Sequence, residues 1–190
     1  MDKTTSVTYQ RDLWLTGPVA GVPAALQPAA HALLQTVQDI TQALENLPEE
    51  DVWVTPGGAA SIGFHLIHLA GSTDRLCTTA RGDRLDDAQK ATRDAEKTPP
   101  SVRPPLAALI DRTAAALHAA VDQLRATDPA TLADPRPVGR AGVPSTVGGL
   151  LFHAAEHAQR HAGQIVTTAR ILRSGVLRQR EATSTDRMPR

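Results

Sequence analysis

Aromatic residues are scarce in this chain: two Trp, two Phe and one Tyr among 190 residues. Alanine and leucine dominate the apolar set instead, a mix that favours helices over sheets. Net charge is absent, because 20 basic side chains balance 20 acidic ones. Neutrality removes any global pull toward nucleic acid or an anionic membrane surface. Cysteine occurs once, at Cys77, which excludes an intrachain disulfide and fits a reducing cytoplasm. No apolar run approaches the ~18 residues of a membrane span. The polar start, Met1-Asp2-Lys3-Thr4-Thr5-Ser6, lacks the apolar core of a signal peptide. The expectation is a soluble, cytoplasmic protein with neither a nucleic-acid nor a membrane partner.

What is present is a helical chain with a core. Hydrophobic residues make up 41% of the sequence, and the length suits one domain. Four helical runs alternate with segments rich in proline and glycine. The first opens at Pro23 and carries Leu26, then Leu33, Val37, Ile40, Leu44 and Leu47 at spacings of four and three. Pro48 is expected to end it. The second follows Pro56-Gly57-Gly58, with Ser61 as N-cap and Gly82 as stop. Its inner face carries Ile62, His65, His68, Leu69, Ser72 and Leu76. Residues 82 to about 103 are charged and then proline-rich, and read as a long exposed connection.

The third run starts near Pro105, with a stripe of Leu106, Ile110, Thr113, Leu117, Ala120 and Leu124. Residues 127–144 form another irregular connector. The fourth run begins near Ser145 or Thr146 and ends at Ser174-Gly175. These readings predict an all-α protein, a four-helix bundle with long connections, as one domain over residues 1–175. Residues 176–190 read as a flexible basic tail.

Chemistry concentrates in Glu156-His157-Ala158-Gln159-Arg160-His161-Ala162-Gly163-Gln164. Two histidines four apart on a helix are separated by about 40° of rotation and roughly 6 Å of rise, so both imidazoles leave one face. The stripe extends to Leu150, His153, Gln164 and Thr168. Leu151, Phe152, Ile165 and Val166 make the other faces apolar, so the helix reads as largely buried. A buried polar group without a partner costs about 1–3 kcal/mol, so the polar stripe should line a cavity or a metal. His65 or His68 of the second run would complete a three-histidine site with an open position. Three neutral imidazoles suit zinc, nickel, iron or copper and disfavour magnesium or calcium.

The residues Trp53, Pro56, Gly57, Gly58, Ser61, Ile62, Gly63, Phe64, His65, Leu66, His68 and Leu69, followed by Glu156, His157, Arg160, His161, Gly163 and Gln164, carry a resemblance. Together they resemble the DinB/YfiT-like superfamily of metalloenzymes, over about Leu13 to Leu172. The resemblance implies a four-helix bundle, often a homodimer, with one divalent metal on three histidines. Carried over by position, the ligands are His68, His157 and His161. Many relatives have two adjacent histidines where this chain has Arg160-His161, an arginine that would place a fixed positive charge beside the site if it pointed inward.

The resemblance also implies a transferase that uses the metal to activate a low-molecular-weight thiol against a small-molecule substrate. Arg160 and Gln164 are the catalytic candidates, and Arg75, Arg112 or Arg160 would hold a carboxylate of such a thiol. Two rival readings stand beside it: a metal-dependent hydrolase, which needs a general base, and a non-catalytic metal-binding or stress-response module. His153 reads as a group behind the ligands or an alternative ligand. Glu156 reads as a helix-surface residue, Cys77 as packing, and His65 and Ser72 as lining. His31 and His118 have no supporting pattern.

Overall fold

The computed structural model describes residues 12–175. Five α-helices run in the order α1 (Gln27–Leu44), α2 (Ile62–Arg81), α3 (Asp87–Ala95), α4 (Leu106–Ala126) and α5 (Val147–Arg173). No strand forms among the described residues; two isolated bridges, Pro135–Thr146 and Val138–Val143, pin the connector between α4 and α5. The tail read over residues 176–190 lies outside the described residues.

The helix ends follow local chemistry. The Ser61 hydroxyl accepts from the Phe64 backbone N–H at 3.2 Å and opens α2. Gly82 closes it in the left-handed region at φ 88°, where glycine carries no Cβ penalty. Thr146 caps α5 by accepting from Gly149 N at 3.0 Å. Helix α4 starts directly after Pro105, and the Glu49 carboxylate accepts from Leu106 N at 3.0 and 3.1 Å. That contact satisfies one of the free N–H groups of the first turn.

The first helix differs from its expected limits at both ends. The chain after Pro23 makes a 3-10 turn, Ala24–Leu26, and α1 begins only at Gln27. The Gln27 side chain bonds Val19 and Val22 and so ties down the preceding loop. At the other end α1 stops at Leu44, before Pro48, because Asn46 turns to φ 58°.

The four long helices pack in a ring. Helix α1 lies against α4 and α5, and α2 lies against the same two, so α1 and α2 sit diagonally although they are successive long helices. The periodic stripes meet in the middle, with Leu33, Ile40, Leu66, Leu69, Leu117, Leu124, Leu151 and Ile165 fully buried. Each such side chain contributes on the order of 1.5–3 kcal/mol over its exposed state. Gln159 joins α5 to α1, donating to Ala32 O at 2.8 Å and Thr36 Oγ1 at 2.9 Å. No helix among the described residues is long and apolar enough to cross a membrane.

The expected exposed connection after Gly82 contains a helix. Asp86 and Gln89 form a reciprocal capping box, with Gln89 N on Asp86 Oδ1 at 2.7 Å and Asp86 N on Gln89 Oε1 at 3.1 Å. This nine-residue α3 buries none of its side chains, so no hydrophobic period marks it. Its C-cap residue is Glu96, which the packing of α3 on α2 brings back toward the bundle.

Candidate metal centre

Helices α2 and α5 bring together four imidazoles. His68 Nε2 lies 3.1 Å from His157 Nε2, and His65 Nδ1 lies 2.9 Å from His161 Nδ1. The His157 and His161 rings are edge to face with centroids 4.5 Å apart. One ligand atom from each of His68, His157 and His161 falls within 4.8 Å of the others. His153 and His65 are not members of that group. His65 packs behind it against His161, and His153 stands on its solvent side, its ring 5.5 Å from that of His157.

The cluster is braced from α3. Glu96 Oε2 lies 2.9 Å from His68 Nδ1, and the same carboxylate receives Arg75 Nη1 at 2.7 Å and Nη2 at 2.9 Å. Such a bidentate pair fixes both position and charge. Gly71 makes room for it: a Cβ there would collide with Glu96 Oε1 and lie 2.7 Å from Arg75 Nη1. An ionised Glu96 draws the His68 proton to Nδ1 and leaves a lone pair on Nε2.

Burial, reinforced by neighbouring positive charge, sets the protonation of the others. His157 is lowered to about 4, first by burial and then by His68, His153 and Arg160, and His161 to about 3, first by burial and then by His157, His68, His65 and Arg160. His65 is lowered by burial and by His68. All three are therefore neutral at pH 7 and able to offer lone pairs. Two lone-pair nitrogens 3.1 Å apart repel unless a proton or a cation lies between them. His157 Nδ1, moreover, is buried and has no hydrogen-bond partner among the described residues. Neutral His157 and His161 beside an imidazole backed by a carboxylate fit a divalent transition ion.

The remaining sequence candidates sit differently. Arg160 is exposed and tied to Glu156 through Nε at 3.1 Å and through Nη2, so its charge reaches the cluster while its guanidinium does not. Glu156 also meets His153 Nδ1 at 3.2 Å, the helix-surface role expected of it. Gln164 is exposed, one face away from the core. Phe152, expected to be buried, is 64% exposed. Both belong to the side of α5 that no other long helix covers. Cys77 is buried, and burial pushes its thiol up to about 11, which makes it packing and not a thiolate. Sequence reasoning missed Glu96; the Asp86-x-x-Gln89 capping box was the signal that a helix would return the chain there.

The arrangement is that of an all-helical protein with a three-histidine group able to hold a metal ion. A family model for the DinB superfamily matches residues 32–165, well over half of the chain, and the chain belongs to that superfamily. No curated protein matches it.

Proposed function

We propose that His68, His157 and His161 hold one divalent transition metal, zinc, nickel or iron, and that the protein is a transferase acting between a low-molecular-weight thiol and a small electrophilic substrate. The observation that carries this reading is the convergence of three imidazoles from two helices, with one of them backed by Glu96. A purely structural metal would be closed by a fourth protein donor; among the described residues the group has three members. When bound, such an ion supplies a Lewis acid that lowers the pKa of a thiol or water reaching its open side.

The chain's own residues do the rest. Glu96 accepts from His68 Nδ1–H and keeps Nε2 free of a proton. His65 Nδ1 accepts from His161 Nδ1–H and does the same for His161 Nε2. Glu156 Oε2 takes the Nδ1–H of His153 and holds that imidazole on the solvent side of the cluster. A specific observation weighs against hydrolysis: both carboxylates near the cluster are engaged, Glu96 by Arg75 and His68, Glu156 by Arg160 and His153. Water needs a free general base more than a thiol does, because a thiol begins near pKa ~8.5.

Metal analysis of protein purified without an affinity metal tests the first half of this reading and should give about one transition metal per chain. A metal content near zero would end it. A screen pairing small thiols with electrophiles tests the second half, and turnover that persists without thiol would replace the transferase by the hydrolase.

A further inference from the structure

A second site lies beside the histidine cluster and stands independently of the metal reading. Trp53, the N-terminal half of α2 and the connector after α3 enclose a cavity of about 860 Å³, within the range of small-molecule sites. In a chain so poor in aromatics, Trp53 and Phe64 both line it. Ile67, Pro100, Val102 and Pro104 add apolar surface, and Val102 is 81% exposed. The wall is held in place: the Trp53 ring lies so close to Gly63 that a Cβ there would sit 2.7 Å from it.

The charge on this apolar wall has one sign. Glu96, the one carboxylate among its lining residues, is neutralised by Arg75. Lys97 is paired with Asp94 at 2.9 Å. That leaves Arg103, whose guanidinium lies 5.6 Å over the Trp53 ring, and Arg112 of α4. Neither has an ion-pair partner among the described residues. An apolar cleft with two guanidinium groups that have no ion-pair partner among the described residues is complementary to a molecule with an apolar body and a carboxylate.

We propose that this cavity binds a small apolar carboxylate, its hydrocarbon part against Trp53 and Phe64 and its carboxylate on Arg112 and Arg103. Phe64 stacks on His68, with centroids 5.6 Å apart and planes 3° from parallel, and Glu96 touches the same imidazole. The ligand therefore contacts Phe64, which itself touches the cluster, and lies in the cavity that Glu96 also lines.

The chain has two tryptophans, Trp14 and Trp53, so in full-length Trp14→Phe protein the indole emission comes from the cavity wall. The probes are 4-phenylbutyrate and its neutral counterpart 4-phenylbutan-1-ol, titrated into metal-free and metal-loaded protein. The expected result is a saturable emission change, with the carboxylate bound about tenfold more tightly than the alcohol, as one charge-assisted contact provides. In Arg103→Gln/Arg112→Gln protein, with helicity verified by circular dichroism, the two probes should bind within about threefold of each other. Absence of a saturable change, equal affinity for acid and alcohol in the parent, or undiminished preference in the arginine variant would each overturn the proposal. Carboxylate binding by metal-free protein separates this outcome from that of the metal reading, which metal stoichiometry decides.

Discussion

His68 and His161 face one another across the α2–α5 interface, yet they are held by different chemistry. His68 is half-buried and backed by an ionised carboxylate that is itself clamped by arginine. His161 is almost fully buried and backed by a neutral imidazole. A carboxylate makes its imidazole a stronger donor and fixes its tautomer electrostatically, whereas a histidine partner fixes only direction. The contrast puts one support of the cluster in the connector carrying α3 and the other in the bundle core. The second connector, between α4 and α5, supplies no member of it.

The largest effect should come from removing a proposed ligand. His161→Ala is expected to lower bound metal from about one per chain to near zero, with helicity retained; unchanged stoichiometry would show that the ligand set is wrong. The two supports should then rank as the comparison requires. Glu96→Gln is expected to cost about 10–100-fold in metal affinity, and His65→Phe less than about tenfold, both read by chelator competition. Equal losses would erase the distinction between the two sides.

Acid separates them from another direction. The folded chain holds His157 at about 4 and His161 at about 3, against 6.5 for an unperturbed imidazole. Between those values the unfolded chain binds more protons than the folded one. Stability contributed by keeping these rings neutral is therefore intact above 6.5 and is lost as pH falls toward 4. Metal-free protein should melt at lower temperature at pH 5 than at pH 7, and His157→Phe/His161→Phe should flatten that slope. A slope unchanged by the double substitution would assign it to other groups.

The smallest effects concern two glycines. Gly71→Ala would push on the Glu96–Arg75 pair and should weaken metal binding in the same direction as Glu96→Gln, though less. Gly163 on α5 is exposed with nothing within 4 Å of an added Cβ. Gly163→Ala should raise stability by about 0.5–1 kcal/mol and leave metal affinity as it was. If both alanines behave alike, the close approach at Gly71 has no role in the cluster.

Much of the bundle could be read in advance because burial imposes a period. The four-and-three spacing of Leu33, Ile40 and Leu44, and of Leu106, Leu117 and Leu124, is the imprint of a core-facing helix, and these side chains are buried. Ser61, Thr146 and Gly82 mark helix ends because their backbone groups need partners or left-handed geometry. Helix α3 left no such imprint, since it rests on α2 with polar side chains. The Asp86-x-x-Gln89 cap marks a helix there, but the role of Glu96 depends on how α3 folds back, which is a tertiary fact. The His157–His161 pairing was legible from spacing, because four residues on one helix fix direction. Its approach to α2 is a tertiary fact, and the resemblance to a family, more than the spacing, singled out His68.

The distances in sequence between the members of the cluster have a consequence for folding. Glu96 and His68 are 28 residues apart, whereas His68 and His157 are 89 apart and His65 and His161 are 96 apart. Closing the longer loops costs more chain entropy and comes later. The carboxylate-braced half is expected to form with α2 and α3, and the cluster to close only when the last helix docks. Metal capture during refolding would then act as a latch on the final step and as a marker that the chain has arrived.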